Sequence, residues 1–113
     1  MIILKVIIVR SKIKITVLKK FTSKDVLGYD FIFPNGFVVK DCPVVQEGQE
    51  FIVENELTMP EGFCRWAWVD IYRDVGILTM GGNFAEGEHA GEKYTACSDG
   101  LKPVVFKLER IEE

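Results

Sequence analysis

Residues 64–80 read CRWAWVDIYRDVGILTM, and Gly81 and Gly82 follow directly. At about 100° per residue, Cys64, Ala67, Trp68, Ile71, Tyr72, Val75, Leu78 and Thr79 fall within an arc of roughly 140°, the width of an apolar face that lies on a sheet. The two glycines supply the left-handed stop that ends a helix. The stretch therefore predicts one helix over 64–80, buried along that arc. The opposite side carries Arg65, Asp70, Arg73 and Asp74, as water requires, but it also carries Trp66 and Ile77. Two readings stand for that pair: cover by neighbouring strands or loops, or contact with a protein partner or a second copy of the chain.

Working outward, residues 12–17 alternate as Lys12, Ile13, Lys14, Ile15, Thr16, Val17. That period of two is the mark of a half-buried strand with Ile13, Ile15 and Val17 inward. Residues 2–9 form a second, mostly β-branched run, close enough to pair with the first as a hairpin. Pro34-Asn35-Gly36 sits between aromatic and β-branched runs at 29–33 and 37–40, a strong hairpin signal. A short strand is expected at 51–53. Ser98-Asp99-Gly100 separates runs at 94–97 and 104–111, with Pro103 where its missing N–H is tolerated. The fold expected is α+β: a strongly curved, mainly antiparallel sheet of five to seven short strands, with the helix across its concave side. Trp68, Ile71, Tyr72, Val75 and Leu78 are expected to meet Ile13, Ile15, Val17, Phe51, Val53, Val105 and Leu108.

A chain of 113 residues has room for one domain. That domain spans 1–113, with an extra amino-terminal strand at 1–10 and a hairpin insertion at about 27–40. Fourteen Lys and Arg against seventeen Asp and Glu leave a net charge of −3, so the broad positive field of a nucleic-acid-coating protein is missing and no nucleic-acid partner is expected. With 48% apolar residues the composition is that of a folded chain. No run approaches the roughly 20 apolar residues that span a bilayer, and residues 1–9 lack the basic start and small-residue cleavage site of a signal peptide. Three cysteines, an odd number, argue against a secreted disulfide scaffold. The expectation is a cytoplasmic protein with reduced thiols and no membrane partner.

Five stretches occur in order: Cys42-Pro43; Glu47-Gly48-Gln49-Glu50-Phe51; Met59-Pro60-Glu61-Gly62-Phe63-Cys64 leading into Ala67-Trp68; Gly81-Gly82-Asn83-Phe84; and Cys97-Ser98-Asp99-Gly100-Leu101-Lys102-Pro103 running into Val104-Val105-Phe106-Lys107. Across residues 12–112 the chain thereby resembles an uncharacterised family of small prokaryotic proteins found mainly in anaerobes. The resemblance implies no activity and no catalytic residue. Residues 1–10 precede that family's usual start, and 27–39 is longer than its counterpart. Ser98 stands where relatives often carry a second cysteine, which removes one metal ligand.

Chemistry is possible at few positions. Cys42, Cys64 and Cys97 lie 22 and 33 residues apart without a Cys-x-x-Cys pair, so no local zinc or thioredoxin-like motif exists. They remain either three small buried hydrophobes or, if they converge, a shared site for zinc or iron. Cys64 at the start of the helix is in addition a candidate reactive thiol, because the helix N-terminus and Arg65 both favour thiolate. Chance alone predicts about 0.1 Cys-Pro pairs in a chain with three Cys and four Pro, so Cys42-Pro43 is no evidence for haem. His89, the only histidine, lies in an acidic glycine-containing loop, where nothing preorganises a metal site or an acid–base pair. A Ser98-His89-Asp99 triad is set aside because the serine and aspartate have a plainer role in a turn. Gly81-Gly82-Asn83 follows a helix, the wrong orientation for a phosphate loop. Lys12, Lys14, Lys19, Lys20 and Lys24 read as an outward basic edge that discourages aggregation. Three functions follow: a non-catalytic accessory or ligand- or protein-binding module, a thiol-based metal or redox module, and, with least support, a small enzyme.

Overall fold

In the computed structural model, which describes residues 10–84 and 89–111, the alternating run forms strand β1, Lys12–Lys20. The other elements are helix α1 Ser23–Leu27, strand β2 Glu50–Val53, helix α2 Arg65–Thr79, and strands β3 Glu92–Ala96 and β4 Val104–Ile111. The strands make one antiparallel sheet in the order β2-β1-β4-β3. Ile13, Ile15 and Val17 are buried on its inner face with Phe51, Val53, Val104, Phe106 and Leu108. On the outer face Lys14 reaches Glu50 of β2 at 3.5 Å and Glu109 of β4 at 3.7 Å, a cross-strand charge row of the kind that pins register modestly. Among the described residues no helix is long and apolar enough to cross a membrane.

Among the described residues four strands, not five to seven, are present, and the sheet is not strongly curled. The hairpin signal at 29–40 yields a single bridge, Ile32 to Val38, closed by Phe33 N–H to Phe37 O at 2.8 Å and Gly36 N–H to Phe33 O at 2.8 Å. Its loop has three residues, Pro34, Asn35 and Gly36, and too few rungs follow for it to count as sheet. Twist accumulates strand by strand, so four strands curl less than seven. The strand expected at 1–10 lies outside the described residues, Arg10 excepted. The hairpin at Ser98-Asp99-Gly100 and the strand at 51–53 are present as β3–β4 and β2.

Parity explains two further corrections. Val105 and Leu108 are three residues apart on one strand and point to opposite faces; Leu108 is buried and Val105 is only half-buried. In β1 the register slips between Val17, opposite Phe106, and Lys19, opposite Val105. Leu18 faces outward as alternation alone requires; the extra residue keeps Lys19 outward as well and turns Lys20 inward to 9% exposure. Lys20 is thus no part of an outward basic edge.

Helix α2 ends in a Schellman arrangement, Gly82 N–H to Ile77 O at 2.8 Å and Gly81 N–H to Leu78 O at 3.1 Å, with Gly81 at φ 90° as that motif requires. Arg110 caps the same end by donating to Leu78 O and Gly82 O. Its apolar face covers the sheet through Ala67, Ile71, Val75 and Leu78. The face is turned from the expected one: Asp74 is buried at 6%, whereas Tyr72 is exposed at 45%. At about 100° per residue Asp74 lies roughly 20° to one side of Ala67, and Tyr72 roughly 140° to the other. Phe63 packs edge-on against Phe51 at 5.0 Å and Trp68 at 6.3 Å, and the exposed Tyr72 packs edge-on against Trp68 at 5.5 Å. Helix α1, which the sequence reading did not include, is closed by a capping box between Thr22 and Asp25.

Candidate functional site

Three segments far apart in the chain meet beside the first turns of α2. The first is 41–45, and the inward turn of Lys20 holds it: Nζ donates to Cys42 O at 2.6 Å and Val45 O at 2.8 Å, with the Asp41 carboxylate 3.5 Å away. Gly48 N–H to Val17 O and Val17 N–H to Gln49 O tie the following turn to the same irregularity in β1. The bulge therefore sets where Cys42, Pro43 and Val44 stand.

The second segment enters α2. Phe63 N–H bonds Pro60 O at 3.2 Å across a turn with Gly62 at φ 82°, a position that needs glycine. Cys64 is the N-cap; its carbonyl accepts from Trp68 N–H at 2.9 Å, but its side chain makes no capping bond and packs, half-buried, against the core. The third segment is the β3–β4 turn. Asp99 accepts from Leu101 N–H at 2.9 Å, Lys102 N–H at 3.1 Å and Lys102 Nζ at 2.8 Å. Ser98 donates through N–H at 2.8 Å and through Oγ at 3.0 Å to Asp70 of α2, which clamps turn to helix. Cys97 N–H bonds Val104 O at 3.0 Å, and Val104 N–H donates to Cys97 Sγ at 3.3 Å.

Between these segments lies a pocket of about 460 Å³. Cys42, Cys64 and Cys97 all contribute to its lining, so three thiols separated by tens of residues converge on one cavity. Pro43, Val44, Ala67 and Trp66 make the rest of its surface mainly apolar, and Asp70, Ser98, Asp99 and Lys102 make its polar rim. Among the described residues no group of three or more His, Cys, Asp and Glu side chains is placed to hold a metal ion. The sulfurs share a cavity wall without forming a ligand cluster.

The rim carries one ion pair. Partial burial pushes the Asp99 carboxyl up, but the Lys102 ammonium and the amides of Leu101 and Lys102 outweigh it and hold that carboxyl below its ordinary value. The hydrogen bond that Lys102 donates to Asp99 holds Lys102 above its ordinary value against the opposing effect of burial.

Trp66 stands at the pocket with 82% of its surface exposed, and Ile77 lies three turns along the same stripe at 36%. Val69 and Met80, exposed at 71% and 55%, extend that stripe; the sequence reading did not include them. His89 does not line the pocket: it is solvent-exposed with Nδ1 3.7 Å from Glu92. The Ser98 hydroxyl is committed to Asp70 and Asp99 to its own turn, so no triad forms with it. Lys20, Asp70 and Lys102 were missed as site residues. Only Lys102 had a local signal, three residues after a turn aspartate. Comparison with family models, with curated proteins and with solved structures finds no match for the chain.

Proposed function

We propose that the chain is a non-catalytic accessory module that binds a small apolar molecule bearing one negative group, seated among Cys42, Cys64 and Cys97. The cavity that carries this reading is about 460 Å³, within the few hundred to 1,000 Å³ of ligand pockets. Its lining is mainly apolar; Lys102, which pairs with Asp99, is its one cation among the described residues, and its other carboxylate, Asp70, accepts from Ser98. Exposed Trp66 adds an aromatic face of the kind that dominates contact energies. The resemblance to the anaerobe family supplies no activity, so geometry alone supports the reading.

Decanoate is a suitable probe for isothermal titration calorimetry. About 0.4 kcal/mol per non-hydrogen atom gives a dissociation constant of roughly 0.1–1 mM. Val44→Asp, at a half-exposed wall position, should abolish the heat without unfolding the protein. No heat with the wild type, or equal heat from both proteins, refutes the proposal.

A second reading is favoured by the meeting of three thiols on one cavity: a thiol-based redox or metal module. Bound zinc or iron after anaerobic purification, or a fall in titratable thiols after mild oxidation, would support it. Absence of both would dismiss it.

A further inference from the structure

Beside the cysteine pocket lies a second hollow of about 460 Å³, and the two share Pro43 and Lys102 as a common wall. Its far side is the 31–39 hairpin. Phe33 and Phe37 stack there with centroids 6.3 Å apart and planes at 27°, and Phe31 braces Phe33 edge-on at 5.5 Å. Phe33 and Phe37 nevertheless remain 40% and 64% exposed. The hairpin that carries the rings is held at its base: Val39 N–H bonds Phe31 O at 2.9 Å, and buried Ser23 Oγ donates to Val39 O at 2.8 Å and accepts from Phe31 N–H at 2.9 Å. An aromatic face open to water on a backbone already held in place favours planar apolar groups, because little further ordering of that backbone is needed on binding.

Charge decides the rest. Asp41 lines the second hollow but is paired with Lys20 at 3.5 Å, and Lys102 is paired with Asp99 at 2.8 Å. Lys40 also lines it and has no ion pair or hydrogen bond among the described residues. Within this second hollow the unbalanced charge is therefore one ammonium, that of Lys40, on the same hollow as Lys102 at the shared wall, while Asp70 of the first hollow accepts from Ser98.

We infer that the two hollows form one bipartite site for an elongated aromatic anion: a planar aromatic group against Phe33 and Phe37, a carboxylate at Lys102 and Lys40, and an apolar arm among the cysteines. The inference rests on the proposed ligand role of the cysteine pocket and deepens it. Linking two fragments across a shared wall makes the second contact intramolecular, so the joined ligand gains affinity over each part.

Three anionic probes and one neutral control, 2-naphthylmethanol, test this by calorimetry: the anions are 2-naphthoate for the hairpin lobe, decanoate for the cysteine lobe, and 2-(2-naphthylmethyl)decanoate, whose carboxylate lies between both arms. The branched ligand should bind one to one and at least about tenfold tighter than decanoate. Phe37→Ala, at a position 64% exposed, should weaken naphthoate and the branched ligand about tenfold and leave decanoate unchanged. Val44→Asp should weaken decanoate and the branched ligand and leave naphthoate unchanged. Lys40→Gln should weaken naphthoate a few-fold and leave neutral 2-naphthylmethanol unaffected. A branched ligand no tighter than decanoate, or naphthyl binding indifferent to Phe37→Ala and Lys40→Gln, overturns the bipartite site while a Val44-sensitive decanoate signal keeps the single pocket. Loss of that decanoate signal overturns both.

Discussion

Replacing Lys20 with Met keeps a stem of similar length and removes the ammonium that holds 41–45 in place. Lys20 is 9% exposed, and its Nζ donates at 2.6 Å to Cys42 O and at 2.8 Å to Val45 O. Hydrogen bonds from a charged donor contribute about 1.5–3 kcal/mol each, and the two carbonyls left unpaired cost further. Relief from burying the ammonium returns part of this. The net loss should be on the order of 3 kcal/mol, a large share of the roughly 5–15 kcal/mol that such domains possess. Urea unfolding followed by circular dichroism measures it. Because Cys42 hangs on the same segment, its alkylation by iodoacetamide should accelerate under native conditions while that of Cys97, held by the β3–β4 turn, should not. A loss below about 1 kcal/mol with Cys42 alkylation unchanged would refute the argument that an inward-turned lysine positions this wall.

The rotated face of α2 predicts unequal costs: Ile71→Ala, at a fully buried position, should lose about 3 kcal/mol, and Tyr72→Ala, at 45% exposure, less than about 1. Equal losses in urea would restore the face expected from periodicity. Asp99 titrates below its ordinary value when folded, so its contribution is present above the unfolded carboxyl value near 4 and is lost as pH falls through the lower folded value. Asp99→Asn should flatten the acid limb of stability against pH, and an unchanged limb would count against the Asp99–Lys102 pair. Lys102, raised when folded, contributes below about 10.4 and loses that contribution as pH rises through its folded value, so Lys102→Met should flatten the alkaline limb. Cys64, at the N-cap of α2, should be alkylated by iodoacetamide at neutral pH well before Cys42 or Cys97; equal or negligible labelling of all three would remove its claim to reactivity.

Local patterns carried much of the architecture. The alternation at 12–17, the Ser98-Asp99-Gly100 turn, the 15-residue helix and its Gly81-Gly82 stop are each written within a few neighbouring residues, because strand period, turn chemistry and helix caps depend on the backbone nearby. The capping box of Thr22 and Asp25 was legible too, although five residues are too short for an apolar period to register. Three things belonged to tertiary structure alone. A bulge in β1 reverses the faces of Lys19 and Lys20 because its partner strand β4 sets the pairing. The buried face of α2 is turned towards Asp74 and away from Tyr72 where the helix packs on the sheet, a matter of which volumes fit together. Cys42, Cys64 and Cys97 reach one cavity only because a lysine, a helix start and a serine–aspartate clamp bring their segments together; sequence separation has no bearing on distance once a chain is folded.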